Sequence, residues 1–224
     1  MIHYRSHHDP KSSHQQILRH VRRLKKTPIL DVGAAQGMLG QALQHSGLIL
    51  DAIEINKDWA NLARPFYRQV FNSFVEDAHL QPNHYCVVVC GDVLEHVPHP
   101  ERVLERLMQA ATDDATFIIS LPNVAHFAVR MMLLSGRFPQ MERGILDRTH
   151  LHFYTRDTAQ QMLERVGLRV VWARPTGVPV DELFRGHDDG SRVMKTTMRA
   201  QHALLRMAPQ MFGFQWVFVA KRRN

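Results

Sequence analysis

From residue 28 onward, short apolar runs alternate with longer segments of helical periodicity, and this alternation restricts the fold more than any other feature of the chain. Pro28–Val32, Leu48–Ile55, Tyr85–Cys90, Thr116–Leu121, Leu168–Ala173 and Phe214–Ala220 read as strands, with a short one opening at Val70–Phe71. Met38–His45, Asp58–Gln69, Pro100–Ala111, Arg156–Val166 and Lys195–Met207 read as helices, with Asp58 as a candidate cap. Runs such as CVVVC and FIISL have no polar face, which suits strands covered on both sides. Strands linked through helices pair in parallel by right-handed crossovers. The expected fold is therefore α/β, doubly wound, with a mostly parallel seven-stranded sheet. His126–Tyr154 breaks the alternation after the fifth strand, so an insertion is expected at about 124–155.

Size and charge narrow the class. The chain has 224 residues, enough for one α/β domain and too few for two with separate cores. No apolar run approaches the ~20 residues of a membrane span. The N-terminal stretch has no apolar segment of the secretory kind, which predicts a cytoplasmic protein. Cys86 and Cys90 would lie roughly 13 Å apart in one strand, which excludes a disulfide between them. The net charge is +7, but residues 1–26 carry +6 and Lys221–Arg223 carry +3, leaving the body at −2. Residues 1–26 are thus expected as a basic arm with a short helix, ahead of one domain over 27–224. A near-neutral body argues against a specific nucleic-acid partner, and membrane contact is expected to be at most peripheral, through the basic ends.

The chemistry is concentrated at Ile29-Leu30-Asp31-Val32-Gly33-Ala34-Ala35-Gln36-Gly37, a strand running through a glycine turn into a helix. Such a turn brings backbone N–H groups close to a ligand. A dinucleotide fingerprint, G-x-G-x-x-G, fails here at Ala35 and Met38. The pattern acidic-x-G-x-G-x-G fails only at Ala35, where a methyl group is tolerated if φ is negative. At the end of the second strand, Asp51 and Glu54 are both candidates for a ribose-binding carboxylate. Glu54, nearer the carboxyl end and 21 residues past Gly33, is preferred, with Ile55 beside it.

These residues resemble the class I S-adenosylmethionine-dependent methyltransferases. Further runs carry the resemblance: Cys90-Gly91-Asp92-Val93-Leu94-Glu95-His96-Val97-Pro98-His99-Pro100, Ser120-Leu121-Pro122-Asn123-Val124-Ala125-His126 and Gly144-Ile145-Leu146-Asp147-Arg148-Thr149-His150-Leu151-His152-Phe153-Tyr154-Thr155. The first is similar to the post-strand-four signature of ubiquinone-type O-methyltransferases. The last resembles a subgroup associated with glycan biosynthesis. Ala35 and Cys86 depart from the family pattern. The resemblance implies a site for S-adenosylmethionine, with S-adenosylhomocysteine as product, formed by Asp31, Gly33, Ala35, Gly37, Glu54, Ile55 and Asp92. Asp77 is the candidate adenine-side acid, with Asn72-Ser73 as the other register. The acceptor implied is a small molecule or glycan, methylated at oxygen. An aromatic or quinone-precursor acceptor and a non-catalytic scaffold are the alternatives.

A hydroxyl acceptor must lose a proton, for which histidine is suited near neutral pH. His96 and His150 are the candidate catalytic residues. Asp147 and Arg148 are expected as an ion pair closing the insertion. His96/His99 and His150/His152 have short spacings, but no metal motif accompanies them, and no metal is expected. The stripe Val129–Leu134 is expected as core over the sheet edge, with a lipid-facing lid as the alternative.

Overall fold

A computed structural model describes residues 9–179 and 192–223. Seven strands form one sheet: β1 (Ile29–Val32), β2 (Leu50–Ile53), β3 (Gln69–Phe71), β4 (Tyr85–Gly91), β5 (Ala111–Pro122), β6 (Leu168–Pro175) and β7 (Gln215–Arg222). Their order across the sheet is β3-β2-β1-β4-β5-β7-β6. The first five strands run parallel, as the alternation predicts. β7 lies antiparallel to both neighbours, with Ile119 opposite Phe218 and Ala173 opposite Phe218 on its other side.

The helices are α1 (Ser13–Leu24), α2 (Met38–Leu43), α3 (Lys57–Ala63), α4 (Pro100–Ala110), α5 (Phe127–Leu134), α6 (Arg156–Arg165), α7 (Arg192–Met207) and α8 (Pro209–Phe212). Their ends follow local chemistry. Asn56, not Asp58, caps α3, accepting from the backbone N–H groups of Asp58 and Trp59; Asp58 sits in the first turn, where a negative charge suits the helix dipole. Thr155 and Thr158 form a reciprocal capping box on α6, and Gly167 follows that helix at φ 86°.

Two cores cover the sheet. On one face Leu30, Val88, Phe117, Ile119 and Phe218 meet Leu104 and Leu107 of α4 and Leu163 of α6. On the other, Ile29, Val87, Val89, Ile118 and Val217 meet Ile17 and Val21 of α1. Full burial of such side chains contributes ~1.5–3 kcal/mol each. Expected as the helix of a basic arm, α1 is in fact built into this second core, with Arg19, Arg22 and Arg23 on its exposed side.

The segment between β5 and α6 has a small core of its own, Val129, Ile145 and Leu146, with Phe214 packed on it. Here an expectation fails. Of the stripe on α5, Val129 is buried, but Met131, Leu133 and Leu134 are 48, 51 and 79 % exposed. They do not cover the sheet edge. Both cysteines are free. No described helix is long and apolar enough to cross a membrane.

Candidate functional site

The parallel strands end at a common edge, where a doubly wound sheet binds its ligands. β1 delivers Asp31 and the glycine turn to this edge, and β2 delivers Glu54. Gly33 and Gly37 adopt φ of 69° and 86°, which an L side chain rarely does. Both are also closely approached. A Cβ on Gly33 would lie 2.5 Å from Val93 Cγ2, and one on Gly37 would lie 2.9 Å from the Ala63 backbone. Ala35 sits between them at φ 48°, so the condition expected for its methyl group, a negative φ, is not met. The strained alanine costs on the order of 1–2 kcal/mol.

That conformation has a use: the Ala35 N–H donates to Glu54 Oε2 at 2.7 Å. The Asn56 N–H donates to Oε1 of the same carboxylate at 2.8 Å. Glu54 thus faces the turn, 5 % exposed, and each oxygen retains a lone pair for a diol. Asp51 is committed elsewhere. It pairs with Arg68 and accepts from the Tyr85 hydroxyl at 2.9 Å. Of the two acids, Glu54 is the one that faces the turn.

Asp31 accepts from the Tyr67 hydroxyl at 2.5 Å, and Tyr67 in turn accepts from the Gly40 N–H at 3.0 Å. Burial pushes the Asp31 carboxyl up to about 7, against the Tyr67 bond, with the nearby Glu54 charge adding to the rise. A buried carboxylate with a second acid beside it and no cation is well matched to a ligand ammonium. Small turn residues, a fixed carboxylate for a diol and a second for an ammonium all fit the donor the sequence implies. Ile55 is 61 % exposed at the end of β2. Asn72 donates to the Glu54 and Ile55 carbonyls at 2.7 and 2.9 Å. Of the two registers after β3, Asn72 is therefore joined to this edge, while Asp77 is an exposed loop residue.

The second half of the site follows β4. Asp92 has φ 56°. It accepts from the Ser120 hydroxyl at 2.7 Å and from the Gln215 amide at 2.9 Å, which ties β4, β5 and β7 together. Beyond it, His96 and His150 meet edge to face with centroids 4.7 Å apart. Two backbone bonds from Leu151 and His152 to the Glu95 carbonyl, at 2.8 and 3.2 Å, hold the segments together.

The hydrogen-bond network assigns the tautomers. His150 Nδ1 lies 3.0 Å from the Ile145 carbonyl and so carries its proton. Thr149 donates its hydroxyl proton to Asp147 at 2.7 Å, so His96 Nδ1, at 3.1 Å, donates to Thr149. Both rings therefore leave Nε2 as an acceptor. Burial lowers the pKa of His150, with the neighbouring His96 adding to it against the Ile145 carbonyl and nearby acids. Burial alone would raise Asp147, but the Thr149 hydroxyl and N–H and the two histidines outweigh it and hold the carboxyl below its usual range. The expected Asp147–Arg148 pair does not form: Arg148 bridges to Glu142 at 2.9 Å instead.

Glu95, in the same cluster, is fully buried, and both its carboxyl oxygens lack a hydrogen-bond partner among the described residues. Burial, with the Asp92 charge, raises its pKa well above the usual value. One ligand atom each from Glu95, His96 and His150 fall within 4.8 Å of one another, a grouping able to hold a divalent ion. The sequence spacings pointed to His96/His99 and His150/His152; the fold instead pairs His96 with His150, more than fifty residues on. Phe153 and Phe138 continue the cluster, at 6.2 Å from His150 and 5.3 Å from each other.

Comparison with known proteins gives a family and a fold. Residues 3–173 match the family described as methyltransferase domain. A ubiquinone biosynthesis O-methyltransferase of Aeromonas salmonicida is 29 % identical over 153 residues, covering 63 % of each chain. One from Methylococcus capsulatus is 30 % identical over 118 residues, covering 49 % of each. The chain thus spans less than two thirds of the length of these relatives. Among solved structures, a SAM-dependent methyltransferase from Archaeoglobus fulgidus superposes with a TM-score of 0.62 at 16 % identity, covering 93 % of this chain and 94 % of that one. Magnesium protoporphyrin IX methyltransferase from Synechocystis, with bound SAH, also gives 0.62, at 14 % identity over 95 % of this chain and 84 % of the other.

Proposed function

The chain belongs to the methyltransferase-domain family, and on that premise we propose that it transfers a methyl group from S-adenosylmethionine to an oxygen of a small-molecule acceptor. The observation that carries the reading is the pair of carboxylates flanking the glycine turn. Asp31 awaits a cation, and Glu54 is fixed by two backbone N–H groups. In this reading Asp31 holds the donor's ammonium, Glu54 its ribose diol, and the turn from Gly33 to Gly37 its carboxylate. Ile55 and Asn72 flank the base, and Asp92 shapes the floor between donor and acceptor. When bound, the donor supplies an electrophilic methyl group on sulfur.

The acceptor side then needs a base and a surface. His150 is the base: its Nε2 is an acceptor, and the ring resists protonation near neutral pH. His96, oriented through Thr149 by Asp147, lies against it and takes the second contact to the acceptor. Glu95, buried beside them, is held well above the usual carboxylate range by burial and the Asp92 charge. Phe138 and Phe153, 47 and 39 % exposed, present a face for an aromatic ring. This favours an aromatic acceptor over a glycan, although a sugar could also lay its apolar face there.

The test is calorimetry with S-adenosylmethionine and S-adenosylhomocysteine, followed by a methyl-transfer screen of catechols and glycans. Binding should weaken roughly 10–100-fold in Asp31→Ala and Glu54→Ala, the value of a lost charge-assisted hydrogen bond. Unchanged binding in both variants would overturn the donor site. Donor binding without turnover of any acceptor would leave a scaffold in place of an enzyme.

A further inference from the structure

A groove of about 950 Å³ opens where strand β6 ends at the outer edge of the sheet, between α1, α7 and α8. Six cationic side chains line it: Lys11, Arg19, Arg130, Arg156, Arg174 and Arg206. They come from five separated stretches of the chain, and no acid lines the groove among the described residues. This concentration stands against a body whose net charge, between residues 27 and 220, is −2. None of the six belongs to the Asp31–Gly37 turn, to Glu54 or to the histidine cluster, so the inference stands whether or not methyl transfer is the activity.

Among the described residues, few acids stand against these charges. Arg156 alone is bridged to a carboxylate among the described residues, Asp157 at 3.2 Å. Arg19 and Arg130 donate to the carbonyls of Pro10 and Ala125 at 3.0 and 2.7 Å, and Lys11 reaches the His202 carbonyl at 3.5 Å. Asp9 accepts from the Lys11 backbone N–H at 2.8 Å and lies 3.2 Å from His202. Burial lowers the pKa of Lys11, and the charge of Arg206 lowers it further, while the Asp9 charge partly offsets both effects. Trp172 and Trp216 form the apolar part of the wall. The Arg156 guanidinium lies 5.5 Å from the Trp216 ring centroid, and Trp216, 4 % exposed, has an indole N–H without a partner.

Cations gathered in a concave site repel one another until an anion joins them, and the low-dielectric walls focus their field on whatever enters. Guanidinium forks suit a phosphoryl group, two of whose oxygens each accept one of a pair of parallel N–H bonds. We propose that this groove binds a phosphoryl-bearing ligand, gripped by Arg130, Arg156, Arg174 and Arg206. The phosphoryl group could belong to a free small molecule or to a lipid headgroup, and two probes separate these sources.

The experiment uses the full chain at low ionic strength, with inorganic pyrophosphate followed by calorimetry and phosphatidylglycerol vesicles followed by co-sedimentation. Arg174→Gln/Arg206→Gln is compared with Arg143→Gln/Arg169→Gln, an exposed pair outside the groove. Thermal melting confirms that each variant folds. Pyrophosphate binding that weakens fivefold or more in the groove pair and stays unchanged in the outside pair supports a soluble phosphoryl ligand. Vesicle binding lost in the groove pair alone, with no pyrophosphate binding, supports a headgroup. Binding of neither probe, or equal loss in both pairs, overturns the site.

Discussion

The two halves of the candidate site are built on different plans. The donor half hangs from the ends of adjacent parallel strands: Asp31 and Glu54 are 6 and 5 % exposed, and each is held by partners from rigid elements. The acceptor half is assembled from the β4 exit and a loop that meets it more than fifty residues later, through His96, Thr149 and His150. Its neighbours on α5 leave large apolar side chains in water. A donor common to a family can be held by a fixed frame. An acceptor that differs between relatives is better served by a loop, whose few anchors allow it to vary without disturbing the sheet.

If that contrast is right, changes to the acceptor half should spare donor binding. The largest effect is expected for His150→Gln, which should lower kcat by ~10²–10⁴-fold while donor affinity stays the same. The depressed pKa of the wild-type ring places the acid limb of its rate profile below 6.5, and the variant should lose that limb. Equal loss of donor affinity would merge the two halves into one unit.

Next comes a pH effect confined to the donor half. An ammonium needs Asp31 ionised, and this carboxyl titrates near 7. Donor affinity should therefore fall towards tenfold per unit as pH drops below 7, and Asp31→Asn should bind weakly with no such slope. The free protein should respond in the opposite sense. A folded carboxyl raised from 3.8 to about 7 favours the folded state at low pH, and that contribution is lost as pH rises through this interval. Denaturant titrations of wild type and Asp31→Asn across the interval would show it. The smallest effect sharpens the picture of the frame. Ala35→Gly should raise stability by ~1 kcal/mol, or Tm by ~2–4 °C, because it relieves the left-handed alanine. No gain would mean that the bond from the Ala35 N–H to Glu54 needs the alanine.

The same contrast explains what could be read from the sequence. All seven strands, the glycine turn and Glu54 follow from local patterns of apolar spacing, turn residues and strand-end acids, because strand ends bring their own chemistry to the edge. The antiparallel setting of β7 carries no such mark, since a buried strand is equally apolar in either direction. The pairing of His96 with His150 is a tertiary fact, and short spacings in the chain pointed elsewhere. The burial of Glu95 beside both rings was likewise hidden, since a buried acid and a solvated one look alike in a sequence. The α5 stripe misled because apolar residues at helical spacing usually mean burial, and here most of them face water.

Strand β7 has one more consequence. Among the described strands, β6 has no hydrogen-bonded neighbour except β7, which is the last of the seven to leave the ribosome. Until Gln215–Arg222 emerges, β5 and β6 both present bare edges to the surrounding cytosol or lumen, and the gap between them is open to any passing strand. A translation stall or a protease cut just ahead of Gln215 would leave a sheet with two adhesive seams rather than a slightly shorter domain.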